Sequence, residues 1–386
     1  MLASFKDIQT QLIHAGEPED RIEGAVCLPV FQSATFEYSG QSSYHDLKYI
    51  RLNNTPNHRV LHAKLAAIER GEAALVTGSG MAAITTSLIA FLKAGDHLLA
   101  QSCLYGGTHS FITQDLPGLG IAFDFIDGDD PDSWGRLLRP QTRAIYVETM
   151  TNPLLEVPDL RAVVQFARAH DLVSMIDNTF ASPVNFRPLE HGFDLSIHSC
   201  TKYLNGHSDI VAGCVIGGEA HIARVVHKLN HLGGSLDPHA CFLLHRGMKT
   251  LSLRVRQQNE NALRLSRFLS AHPAVERVNY PGLEAHPQHA RARELFEGCG
   301  GVLSLEMRGG VREADALISR LRLPICAPSL GGVESLITRP ATTSHSGLSP
   351  EERARLNISD KLIRVAVGIE APDDLCADFE QALEGL

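Results

Sequence analysis

The sequence predicts an α/β protein: a mostly parallel sheet with helices on both faces, plus a smaller C-terminal α+β domain. Three observations predict it. Between about residues 60 and 240, short apolar runs alternate with helix-periodic stretches, as in a parallel sheet covered on both sides. After about residue 240 the texture changes to one long amphipathic stretch and shorter, scattered strands. The 386 residues, 44% hydrophobic and 20% charged, suffice for a large and a small core of ordinary globular composition.

Residues 1–55 have weak periodicity and many turn formers, and read as an arm that contributes to a neighbouring subunit. Residues 56–240 read as the larger domain. A helix is expected over Arg59–Arg70, ended by Gly71, then a strand at Ala73–Thr77, the turn Gly78-Ser79-Gly80, and a helix over Met81–Leu92. Strands follow at His97–Gln101, Thr142–Glu148, Leu172–Asp177 and Asp194–His198, with a helix at Leu160–His170. In such a sheet, binding residues gather beyond the carboxyl ends of the strands. Residues 241–386 form the C-terminal domain, with a long helix over Gly247–Leu269 and strands at Gly301–Met307 and Leu362–Val367.

A net charge of -9 disfavours nucleic acid or an anionic membrane surface as a partner, since both need clustered Lys and Arg. No stretch reaches the roughly 20 apolar residues of a membrane span, and the N-terminus lacks the apolar core of a signal peptide, so a soluble, cytoplasmic protein is expected. Eight cysteines are scattered without a CxxC pair and read as free buried thiols. His58 with His62, and His286 with His289, are close pairs, but neither has a HExxH glutamate or a third ligand at a recognisable distance. Surface or partner-facing histidines are the expectation, with no metal.

The residues with chemical potential lie at strand ends. Lys202 sits in Ser-Ile-His-Ser-Cys-Thr-Lys-Tyr-Leu-Asn-Gly-His, after an apolar strand and before a glycine turn. Asp177 ends the strand Leu-Val-Ser-Met-Ile-Asp, where a buried carboxylate needs a partner. A Schiff-base lysine and an aspartate facing a pyridinium nitrogen are what pyridoxal phosphate (PLP) needs. Gly78-Ser79-Gly80-Met81 lies between a strand and a helix and suits an anion, although a plain helix cap reads equally well. Ser199 and Thr201 could add hydroxyl donors to the same phosphate. Tyr105, in Leu-Tyr-Gly-Gly-Thr, could stack on a planar ring or be a packed core tyrosine.

Together these residues resemble the Cys/Met-metabolism group of PLP enzymes, which includes cystathionine γ-synthase, cystathionine γ-lyase and methionine γ-lyase. The resemblance rests on Ser-Gly-Met at 79–81, Tyr-Gly-Gly-Thr at 105–108, Asp-Asn-Thr-Phe-Ala at 177–181, Thr-Lys-Tyr-Leu-Asn-Gly-His-Ser-Asp at 201–209, Ser-Leu-Gly-Gly-Val-Glu-Ser-Leu at 329–336 and Leu-Ile-Arg-Val-Ala-Val-Gly-Ile-Glu at 362–370. It implies the PLP-dependent transferase fold (fold type I). It also implies that Lys202 carries the cofactor, that Asp177 pairs with the ring nitrogen, and that Tyr105 stacks on the ring. Gly80, Met81, Ser199 and Thr201 would bind the phosphate. Tyr49 and Arg51 match the family's Tyr-x-Arg, which reaches the phosphate of a neighbouring subunit in a tetramer built from dimers. Arg364 would clamp the substrate α-carboxylate with help from Ser329 and Asn152, and Glu148 would support the site. Lys202 and Tyr105 would move the protons.

The resemblance implies a trans-sulfuration enzyme acting on a sulfur amino acid. The leading expectation is γ-elimination from cystathionine or a related thioether, giving a 2-oxo acid, ammonia and a thiol. γ-Replacement on an O-acyl-homoserine is the second, and a non-catalytic structural homologue the third. Several positions depart from the family pattern. Pro328 stands where an acid is usual before Ser-Leu-Gly-Gly, and Ser110 where an arginine follows Tyr-Gly-Gly-Thr. Lys48 stands where some members have an acid. Gly107 replaces the cysteine of methionine γ-lyases, and Asn54-Thr55-Pro56 replaces Asn-Pro-Thr.

Overall fold

A computed structural model describes residues 5–386, apart from the side chain of His45. Residues 1–4 of the expected arm lie outside the described residues. The larger sheet contains β1 (Ala73–Thr77), β2 (His97–Gln101), β3 (Ala122–Ile126), β4 (Thr142–Glu148), β5 (Val173–Asp177), β6 (Leu195–Ser199) and β7 (Gly213–Gly217), in the order β1-β7-β6-β5-β4-β2-β3. β2 to β6 run parallel, whereas β7 is antiparallel to both β1 and β6. The smaller sheet contains β8 (Val275–Asn279), β9 (Val302–Met307), β10 (Ile325–Cys326), β11 (Leu336–Thr338) and β12 (Leu362–Ala366), in the order β10-β11-β12-β9-β8.

Side chains alternate across each strand, so each strand feeds two cores. On β1, Leu75 packs with Ala83, Ile84, Leu88 and Phe91 of the helix Gly80–Phe91, while Ala74 and Val76 pack with Leu61, Leu65 and Ile68 of the helix Pro56–Glu69. On β4, Ala144 and Tyr146 join the first of these cores, and Ile145 and Val147 join a third with Val163 and Ala167 of the helix Leu160–Ala169. Each fully buried Leu or Ile adds roughly 1.5–3 kcal/mol. Burial on both faces explains the apolar run Ala144–Val147 of β4 and the adjacent Met175 and Ile176 of β5.

Four features differ from the sequence expectation. β3 is an edge strand with Asp124 at its centre and only partial burial, so its sequence lacks a buried run. β7 begins and ends on glycine and therefore resembles a loop. The expected helix over 247–269 is two helices, Pro238–Met248 and Leu251–Ala271. Arg254 bridges the break, donating to the Gly247 carbonyl at 2.8 Å and to Thr250 Oγ1 at 3.1 Å. The cysteines are not uniformly buried: Cys103, Cys200, Cys214 and Cys241 are, but Cys27 and Cys326 are exposed.

The expected N-terminal arm is not uniform either. A helix at Ile8–His14 buries Ile8 and Leu12 in the same core as Leu61 and Leu65 of its own chain. Buried Lys64 donates to the carbonyls of Leu12 at 2.8 Å and Ile13 at 3.2 Å, which the helix end leaves unpaired. Beyond Glu17 the chain turns outward, with Val26 77% and Tyr38 67% exposed. No helix among the described residues is long and apolar enough to cross a membrane. His58 and His62 face inward rather than to the surface or a partner: His58 bonds Thr55 Oγ1 and the Leu236 carbonyl, and His62 Nε2 accepts from Val76 N–H.

Candidate active site

A cavity of about 570 Å3 opens at the carboxyl ends of β4, β5 and β6, against the smaller sheet. It is lined by Gly80, Met81, Tyr105, Asn152, Asp177, Ser199, Thr201, Lys202, Ser329 and Arg364. The structure therefore brings together every expected site residue except Tyr49 and Arg51. In its own chain Arg51 is turned away: its guanidinium donates to the Asn230 carbonyl at 2.6 Å and to Tyr44 Oη, and it lies 5.6 Å from the Tyr49 ring centroid.

Lys202 follows β6 on a tight turn. Its Nζ donates to Ser329 Oγ at 2.6 Å. Burial, with the nearby Arg364 charge, brings its pKa down to about 8. The free amine is therefore reached far closer to neutrality than on a solvated lysine. Ser329 holds a φ of 101°, a strained conformation at the mouth of the site. The turn is braced from below by Arg254, which donates to the Tyr203 carbonyl at 2.8 Å.

Asp177 ends β5. Burial pushes its carboxyl up, against the pull of Thr179 and of the His198 charge. Thr179 N–H donates to Asp177 Oδ1 at 2.9 Å, and Thr179 Oγ1 accepts from Ser199 N–H at 2.8 Å, which ties the ends of β5 and β6 together. Behind them lies a buried polar cluster. Glu69 Oε1 is 2.5 Å from His198 Nε2 and accepts from Ser196 Oγ and Asn178 Nδ2, each at 3.2 Å. Nothing in the sequence reading pointed to Glu69 or His198. Glu69 lies more than a hundred residues from its partners in the chain, so only the tertiary structure reveals the pairing.

Arg364, on β12, is buried. It donates to Asn152 Oδ1 at 3.1 Å and to the Ser329 carbonyl at 3.0 Å, and its Nε has no partner. A buried guanidinium with an unspent donor is a site for an anion. Ser344 also lines the cavity and pairs with buried His345, Oγ to Nδ1 at 2.9 Å. Burial and the Arg364 charge hold His345 neutral, with a pKa of about 4. The sequence reading passed over both because Thr-Ser-His-Ser lies in an irregular segment without a periodic pattern.

The positions that depart from the family pattern fall in different places. Pro328 lines the cavity, Lys48 is exposed, and Ser110 is not among the lining residues. A Cβ on Gly107 would meet the Tyr105 ring at 2.7 Å and Met81 Sδ at 3.0 Å, so the Tyr105 ring as placed here requires glycine.

Comparison with known proteins decides the family. The model of the Cys/Met metabolism PLP-dependent enzymes matches residues 9–384. The chain belongs to this family. It is 40% identical over 379 residues to the cystathionine beta-lyase of Bacillus subtilis, covering 98% of this chain and 96% of that one. It is likewise 40% identical to the cystathionine gamma-lyase of the same organism, covering 98% and 99%. A solved structure, cystathionine gamma-lyase from Lactobacillus plantarum complexed with L-serine, superposes with a TM-score of 0.93 at 38% identity over 98% of each chain.

PLP is the cofactor of this family, and the residues present fit it. A Cβ on Gly80 would lie 2.8 Å from Ser199 Cβ, so glycine is needed for the helix Gly80–Phe91 to start against the end of β6. Ser79 Oγ caps Ala82 N–H at 3.0 Å. The Gly80 and Met81 amides, by position, lack intrahelical acceptors and suit a phosphate. A half-exposed aromatic ring, a buried carboxylate and a lysine of lowered pKa complete the donor set.

Proposed function

We propose that this enzyme is a C–S lyase that carries out γ-elimination on cystathionine or a related sulfur amino acid, releasing a 2-oxo acid, ammonia and a thiol. The observation that carries this reading is the convergence of Lys202, Asp177 and Arg364 on one cavity. When bound, PLP supplies an electron sink for the negative charge left at Cα. Lys202 would hold it, Asp177 would face its ring nitrogen, and Tyr105 would lie against its ring. Gly80, Met81, Ser199 and Thr201 would take its phosphate.

The protein groups do the rest. Arg364, oriented by Asn152 and the Ser329 carbonyl, binds the α-carboxylate and fixes which Cα bond faces Lys202. Lys202, with its amine made accessible by burial, removes the Cα proton as general base. Ser329 Oγ holds that amine in place. Lys202 or Tyr105 delivers a proton to the departing sulfur. Tyr49 and Arg51, which do not line the cavity of their own chain, would serve the phosphate of a neighbouring copy, so that two copies complete each site and two such dimers form a homotetramer.

The test is a product assay. Incubation with cystathionine should yield 2-oxobutyrate, ammonia and cysteine in equal amounts. Pyruvate with homocysteine would instead assign β-elimination. Absence of any 2-oxo acid, with thioether formation from O-acyl-homoserine and a thiol, would overturn the lyase reading in favour of replacement.

A further inference from the structure

Two carboxyl groups end neighbouring strands of the cavity floor. β4 and β5 pair Glu148 with Asp177 in parallel register, so both side chains leave the same face of the sheet at the same height. Both line the cavity, with exposures of only 4% and 9%. Their surroundings differ. Asp177 has the Thr179 amide and the nearby His198. Glu148 Oε1 accepts the Tyr105 N–H at 2.7 Å. Burial and the Asp177 charge push its carboxyl well above the usual range, and the Tyr105 amide pulls it back.

The other titratable groups around Glu148 offer it no counter-charge. Tyr146 on β4 and Cys103 after β2 are pushed upward by burial, Tyr146 also by Asp177 and Glu148, Cys103 also by Glu156 and Glu148. Lys202 and Arg364 line the same cavity, but their hydrogen bonds run to Ser329 and Asn152 and neither pairs with Glu148. Two adjacent buried carboxylates do not both ionise without a cation to offset them, and Asp177 is the better solvated of the two.

We propose that Glu148 works as a neutral carboxylic acid, a positioning residue whose carbonyl oxygen holds the Tyr105 amide while its O–H donates into the cavity. The role given to Tyr105 rests on the proposed function. The protonation state of Glu148 does not.

Glutamine mimics a neutral glutamic acid in shape and hydrogen bonding, and this supplies the test. In the holoenzyme at neutral pH, infrared difference spectra of wild type against Glu148→Gln should show the C=O stretch of a protonated carboxyl. Glu148→Ala should lower kcat about 10- to 100-fold by leaving the Tyr105 amide unpaired. Glu148→Gln should recover most of that loss and lack the fall in activity expected of wild type as Glu148 ionises at high pH. Absence of the infrared band, or a glutamine variant as impaired as the alanine one, would overturn the proposal. The infrared reading needs no turnover, so a failure of the lyase reading would be seen separately, as wild type releasing no 2-oxo acid.

Discussion

At the carboxyl ends of β4, β5 and β6 each functional side chain is fixed by a hydrogen-bonded neighbour: Glu148 by the Tyr105 amide, Asp177 by Thr179, and the strand ends by the Glu69–His198 cluster. Between residues 18 and 51 the chain carries large exposed apolar groups, Val26, Tyr38 and Tyr44 among them, and few ties to the body. One is Gln32 Nε2 to Asp237 Oδ2 at 2.7 Å, and another is Arg51 to the Asn230 carbonyl. The cavity floor is thus specified by a single chain. The outward segment carries apolar surface that the chain does not itself cover, which fits a role at a second copy.

Substitutions can break this contrast. The largest effect is expected for Lys202→Ala, which should lower kcat about 10²–10⁴-fold and abolish the visible absorbance of the bound cofactor. Next, Glu69→Ala leaves His198 buried without its partner and should destabilise the protein by about 3 kcal/mol, read as a fall in Tm. Glu17→Gln probes the boundary between the two regions. Burial pushes the Glu17 carboxyl up, but His245, Lys249 and Lys64 outweigh it and hold its pKa at about 2. A lowered carboxyl pKa stabilises fully above the unfolded value and is lost as pH falls through the folded one. The variant should therefore cost about 2 kcal/mol at neutral pH, a difference that vanishes as pH falls from about 4.5 through 2.

Arg364→Lys keeps the charge but loses the planar fork, and should raise KM about tenfold with little change in the cofactor spectrum. The smallest effect on stability is expected for Arg51→Ala, within about 0.5 kcal/mol of wild type by Tm. If the outward segment serves a neighbour, the same variant should lose cofactor on dilution. Unchanged cofactor retention would remove the basis for the shared site.

The sequence carried the sheet best where burial is two-sided. β4 carries the apolar run Ala144–Val147 and β5 the pair Met175-Ile176, ending on Glu148 and Asp177, so strand and functional residue were legible together. β7 was hidden by its terminal glycines, which serve close packing: Gly213 and Gly217 each lie against backbone of neighbouring segments. The two-helix break at Lys249–Thr250 was invisible because the apolar period continues across it, and Arg254 fills the gap from within. At the site, Lys202, Asp177 and Arg364 could be found because each sits in a local motif. Glu69 and His198 could not, because they meet across more than a hundred residues, and Ser344 and His345 could not, because they lie in an irregular segment.

The most direct test of the account is to fix the cofactor where it is held. Borohydride reduction of the holoenzyme, followed by proteolysis and mass mapping, should place the pyridoxyl group on the peptide that contains Lys202 and on no other. A label on a different lysine, or no covalent label in an enzyme that retains the cofactor spectrum, would contradict the assignment of Lys202 and the mechanism built on it.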